Sequence, residues 1–167
     1  MVSKRLQLTL FVDETVSQTI EKVRHQFNPE QYNLIKAHVT LCREDELEDL
    51  TQVYKNLNSL KFSGIEIRFG QPVRFAEGKG VFLPAEGENE TFYTLRNYIL
   101  QDVVQEPKRP EPHITLMHPR NSTCTDEIFT QIKATSFPQS IHFTRISLIE
   151  QMGGEEWNVI KELMLKE

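Results

Sequence analysis

The chain switches repeatedly between two hydrophobic periods. Leu6, Leu8, Leu10 and Val12 recur at every second position, the spacing that turns one face of a strand toward a core, and they predict a strand over 6–13. Asp13 then reads as a helix cap, with Val16, Ile20 and Val23 at helical spacing behind it and Asn28-Pro29 closing that helix. A short strand carrying His38 follows. Leu47, Leu50, Val53, Tyr54 and Leu57 restore the helical period and predict a helix over 45–60, its acidic residues gathered in the first turns where the helix dipole favours them.

At Ile65 the period returns to two. Ile65, Ile67, Phe69, Val73 and Phe75, then Val81, Phe82 and Leu83, predict a hairpin over 65–84 around the turn Glu77-Gly78-Lys79-Gly80. Phe92, Leu95, Tyr98 and Ile99 predict a helix over 91–101, and a proline-punctuated stretch over 107–112 leads into a strand carrying His113. A helix over 125–134 comes next, then a second hairpin formed by 141–151 and 157–165 about Gly153-Gly154. The last segment fits either period, and we assign it as strand. Each half of the chain thus runs helix, short strand, helix, hairpin, with one extra strand at the start.

The two short strands carry one pattern twice, His38-Val39-Thr40-Leu41 and His113-Ile114-Thr115-Leu116. Successive strand side chains alternate faces, so each copy sets an imidazole and a hydroxyl on one face and two apolar anchors on the other. If two such halves pack face to face, four polar groups converge.

Length and charge narrow the partners. At 167 residues the chain reads as a single domain over 1–167 built of two small intertwined lobes. A formal charge of −5 is a poor basis for binding duplex DNA, which needs a broad basic surface, yet it leaves room for a small phosphorylated ligand. No apolar run has the length of a membrane span, and Met1-Val2-Ser3-Lys4-Arg5 leads into the first strand without a signal-peptide core. Cys42 and Cys124 stand alone, without metal-ligand spacing, which suits a reducing compartment. The expectation is a cytoplasmic monomer without a membrane partner. Cys42 shares strand parity with His38 and Thr40, and its reading is a small core or cleft-lining residue, a Cys-His nucleophile being the alternative.

The paired motifs, their separation, the chain length and the order of elements resemble the 2H phosphoesterase superfamily, the LigT-like or 2'-5' RNA ligase family. The resemblance covers essentially the whole chain. It implies an α+β, bilobal fold with two pseudo-twofold-related lobes, antiparallel sheets lining a central cleft, and helices outside. It further implies a phosphodiesterase, independent of metals and cofactors, that acts on 2',3'-cyclic phosphate ends of RNA or on small cyclic nucleotides. His38 and His113 would be the general acid and base, in either order, and Thr40 and Thr115 would hold the phosphate oxygens. Activity on 2'-5' linkages, as ligase or phosphodiesterase, and nucleotide binding without turnover are the alternatives.

Four further residues are candidates for substrate contact. Arg43 and His118 both lie five positions after their motif histidine, though strict strand parity would turn them to the opposite face. Family members carry Arg where this chain has His118, so the second phosphate contact departs from the pattern. Arg74 and Phe82 belong to the first predicted hairpin, where the family often presents aromatic or basic groups to a nucleobase or phosphate. His25 and His142 lie outside any motif and read as surface or structural.

Overall fold

In a computed structural model, residues 2–166 are described. Their elements are β1 (Lys4–Phe11), α1 (Glu14–Phe27), α2 (Pro29–Leu34), β2 (His38–Cys42), α3 (Leu50–Asn58), β3 (Ile65–Arg68), β4 (Val73–Phe75), β5 (Gly80–Pro84), α4 (Glu90–Ile99), β6 (His113–Met117), α5 (Asp126–Lys133), β7 (Ser140–Phe143), β8 (Arg145–Met152) and β9 (Asn158–Met164). Seven strands form one sheet in the order β4-β5-β6-β2-β1-β8-β9, with every neighbouring pair antiparallel, and β3 and β7 form a separate antiparallel pair. The fold is α+β.

The sheet carries its apolar face into the core through Leu8, Leu10, Val39, Leu83, Ile114 and Leu148, all buried. The two motif strands meet edge to edge rather than face to face: β2 and β6 are central neighbours in one sheet, joined by one pair, Val39 opposite Ile114. A pseudo-twofold axis passes through that pair, relating β1–β2 to β5–β6. No helix among the described residues is long and apolar enough to cross a membrane.

Several predicted elements divide where side-chain chemistry interrupts the period. Asn28-Pro29 does close α1, but Pro29 at once opens the short α2, because a proline at the first helical position gives up an N–H that has no partner there anyway. The helix predicted over 45–60 is a 3-10 turn over Glu44–Glu46 followed by α3, which starts only where Asp49 caps the backbone N–H of Gln52. The hairpin predicted over 65–84 is only β4–β5. Ile65–Arg68 leaves it to pair with Ser140–Phe143, so the strand predicted over 141–151 splits between two sheets. The segment 157–165 is strand, as β9.

Candidate active site

Around the Val39–Ile114 pair, strand register puts four polar side chains on the face opposite the core. His38 lies across from Thr115 and Thr40 across from His113, so the histidines occupy one diagonal and the threonines the other. In an undistorted antiparallel pair, such diagonal Cβ atoms are about 7–8 Å apart, enough for a phosphate between them. The floor extends sideways through Phe11, which pairs with His38, Thr9 with Thr40, Phe82 with Thr115 and Pro84 with His113.

Both imidazoles are held the same way. Nδ1–H of His38 donates to the carbonyl of Lys36 at 2.8 Å, and Nδ1–H of His113 donates to the carbonyl of Glu111 at 3.0 Å. A carbonyl only accepts, so each ring carries its proton on Nδ1 when neutral and turns the Nε2 lone pair outward. An aromatic edge steadies each ring: Phe11 lies 6.1 Å from His38, and Phe82 lies 5.3 Å from His113.

Two buried arginines hold the backbone that carries the motifs. Arg24 of α1 pairs with Glu21 and donates to the carbonyl of Ile35 at 2.8 Å, while Glu21 accepts from the N–H of Ala37. Together they fix the segment whose Lys36 carbonyl aims His38. Arg96 of α4 pairs with Glu46 at 2.7 Å and donates to the carbonyls of Leu41 and Lys108. Sequence reading missed both clamps. Their signal was a charged residue inside an apolar helical stripe, four positions after Ile20 in one helix and four after Phe92 in the other.

The two histidines differ in burial. Desolvation pushes His38 down to about 4, against the support of its Lys36 hydrogen bond, and the charges of Arg24 and His113 add to the fall. His38 is half-buried whereas His113 is exposed. A neutral imidazole with its lone pair outward is a base.

Both motif strands bulge at the same place. Pairing runs Thr9–Thr40 and then Leu8–Cys42, leaving Leu41 extra, and it runs Phe82–Thr115 and then Val81–Met117, leaving Leu116 extra. Each bulge reverses the parity that follows it. Cys42 therefore turns with Leu8 into the core, and burial raises its thiol to about 12, which removes it as a nucleophile. The same reversal returns Arg43 and His118 to the motif face, contrary to simple alternation.

Arg43 is exposed just past the end of β2, where its backbone N–H donates to Glu46. The backbone N–H of His118 donates to Oδ1 of Asn28, and its ring accepts from the Arg120 backbone and from Arg120 Nε, each at 3.2 Å. Desolvation, aided by the Arg120 charge, lowers His118 to about 4, so Arg120 is the charged member of that pair. Arg74 is committed elsewhere: it binds the carbonyls of Gly78 and Cys124 and the carboxylate of Asp126. Phe82 forms an aromatic wall with Phe75, ring centres 5.2 Å apart. Gly80 permits that wall, since a Cβ there would stand 2.5 Å from the Phe75 ring. No group of three potential metal-ligating side chains exists among the described residues.

A sheet with twin His-x-Thr strands side by side at its centre, four polar side chains on one face, defines the class. The chain matches the 2'-5' RNA ligase superfamily over residues 12–155, and it belongs to that family, within the 2H phosphoesterases. Its fold is similar to Escherichia coli LigT in complex with phosphate, at 17% identity and a TM-score of 0.67, covering 98% of each chain. It is also similar to LigT with 3'-AMP, at 15% identity and a TM-score of 0.62, over 98% of this chain and 99% of the other. A third similar structure is TT0787 of Thermus thermophilus, at 16% identity and a TM-score of 0.59, over 97% of this chain and 98% of the other. No curated protein matches the chain.

Proposed function

We propose that this protein is a metal-independent phosphodiesterase that opens 2',3'-cyclic phosphates, on RNA ends or on small cyclic nucleotides. The observation that carries the reading is the diagonal pair of histidines, each braced at Nδ1 by a main-chain carbonyl and each presenting Nε2. In-line displacement at phosphorus needs a base and an acid on opposite sides of the reacting atom, and this diagonal supplies them.

His38 is the base, because its environment keeps it neutral through the physiological range. Its Nε2 takes a proton from water as the water oxygen attacks phosphorus. The bond from phosphorus to one ribose oxygen breaks, and His113, entering the step as imidazolium, delivers its Nε2 proton to that oxygen. Thr40 and Thr115 donate to the non-bridging oxygens, where negative charge grows. The aromatic wall of Phe82 and Phe75 beside His113 offers a face on which any base can stack. That LigT has been crystallised with phosphate and with 3'-AMP is consistent with a cleft of this type.

The test is hydrolysis of the four nucleoside 2',3'-cyclic phosphates and of a short RNA with a 2',3'-cyclic end, in excess EDTA, by wild type, His38→Ala and His113→Ala. Turnover that survives EDTA and vanishes in both variants is the expected result. Full activity in either variant, or turnover abolished by EDTA, overturns the mechanism.

A further inference from the structure

Gln7 sits on the motif face of β1, beside Thr9 and Thr40. Its Nε2 donates to Thr9 Oγ1 at 2.8 Å and to Thr40 Oγ1 at 3.2 Å. An amide NH2 has two protons and accepts nothing, so at this contact both hydroxyls act as acceptors. Thr40 retains a single proton, and it cannot aim that proton at an N–H. The proton is left to point away from β1, toward the face shared with His38, Thr115 and His113. Thr9 is fully buried and takes the other amide proton, which ties the amide to a group outside the reaction.

The twofold-related positions hold no counterpart. Phe82 stands opposite Thr115 where Thr9 stands opposite Thr40, and Gly80, two positions before Phe82, occupies the place of Gln7. The Thr40 hydroxyl thus accepts a side-chain hydrogen bond, and among the described residues its twin on Thr115 has none.

We propose that Gln7 is a positioning residue that sets the Thr40 hydroxyl as an obligatory donor to one non-bridging phosphate oxygen, so that the enzyme distinguishes the two non-bridging oxygens. The inference rests on the phosphodiesterase reading above. A preset donor loses no orientational freedom when charge develops on the phosphate, whereas a free hydroxyl must be ordered at that moment.

The test uses uridine 2',3'-cyclic phosphate and its Rp and Sp phosphorothioates with wild type, Gln7→Glu, Gln7→Ala, Thr40→Ala and the Gln7→Glu/Thr40→Ala double variant. A carboxylate at position 7 accepts the Thr40 proton and turns it inward. Gln7→Glu is therefore expected to lose about 10- to 100-fold in kcat, as Thr40→Ala does, and to lose the wild-type preference between diastereomers. The double variant should fall within about twofold of Thr40→Ala, because one hydrogen bond cannot be lost twice. Gln7→Ala should lose only a few-fold, since the freed hydroxyl can still rotate to the phosphate. Wild-type rates and preference in Gln7→Glu, or losses that multiply in the double variant as simple charge repulsion would make them, overturn the proposal. If wild type hydrolyses none of these substrates, the functional reading fails separately. The Gln7 proposal is then decided by the affinity for inorganic phosphate: equal, non-additive weakening in Gln7→Glu and Thr40→Ala supports it, and unchanged affinity in Gln7→Glu overturns it.

Discussion

The two halves of the motif face share a backbone plan and differ in what surrounds it. Each has a His-x-Thr strand with a bulge at the motif leucine, a carbonyl on the histidine Nδ1, and a buried arginine on main chain ahead of the motif, Arg24 on Ile35 and Arg96 on Lys108, although Arg96 also reaches across to Leu41 of the first motif strand. The first half then lines its threonine with polar side chains, Gln7 and Thr9, and desolvates its histidine. The second half lines its threonine with Phe82 and leaves its histidine exposed. The same backbone plan thus has more polar surroundings for the threonine on one side and aromatic surroundings on the other, and in the proposed function the aromatic side is where a base would stack.

The strongest way to break this comparison is to remove each histidine in turn. His38→Ala and His113→Ala should each lower kcat by about 10²- to 10⁴-fold, the usual contribution of one general acid or base, while circular dichroism spectra stay unchanged. A half that kept its activity without its histidine would not belong to the mechanism.

The first half should also respond along the pH axis. In the proposed mechanism His38 is the neutral base, and burial lowers it to about 4, so kcat/KM should fall about tenfold per unit below that value. Stability has its own sign. The folded value lies below the unfolded 6.5, so the unfolded chain binds this proton more readily, and the contribution of His38 is present above about 6.5 and lost as pH falls toward about 4. Urea melts of wild type and His38→Gln should diverge in that window, with wild type losing more on acidification. Parallel curves would mean that His38 is not desolvated.

The clamps allow a test of scaffold against site. Glu46→Ala leaves Arg96 buried and without its carboxylate, and Arg96's own Nε already has no hydrogen-bond partner among the described residues. Loss of one member of such a pair costs about 3–5 kcal/mol, readable as a shift in the denaturation midpoint. Glu21→Ala should cost less, because Glu21 is 18% exposed against 12% for Glu46, and its Arg24 grips one carbonyl where Arg96 grips two.

Local signals made much of this plan legible in the sequence. Strand and helix periods located most elements, and the repeated motif singled out the four side chains that register now brings together. The errors came from non-local causes. Nothing in Ile65–Arg68 says that its partner is Ser140–Phe143 rather than the adjacent strand, because an alternating strand is equally complete against either. The bulges were invisible because Leu41 and Leu116 look like ordinary anchors, yet they decide that Cys42 enters the core and that Arg43 and His118 regain the motif face. Gln7 was overlooked because a polar residue on the outer face of an amphipathic strand ordinarily meets water. Its partners, Thr9 and Thr40, come from its own strand and the next.

The aromatic side supplies two smaller, opposed predictions. Phe82→Ala removes the edge against His113 and the stacking face, and should raise KM for cyclic nucleotides about tenfold, in line with about 1–3 kcal/mol per stacked base. Arg74→Ala lies in the same hairpin but loses only ties to Gly78, Cys124 and Asp126, which dock the β4–β5 turn onto the start of α5. The Asp126 carboxylate is almost fully exposed, so that ion pair adds little, and the two carbonyl contacts carry the effect. We expect a fall of a few degrees in Tm with kcat/KM within twofold of wild type. The opposite pattern, an unchanged Tm with a large rise in KM, would mean that the guanidinium leaves its carbonyls to meet substrate. The second half would then use charge as well as stacking, and the division between a phosphate side and a base side would have to be redrawn.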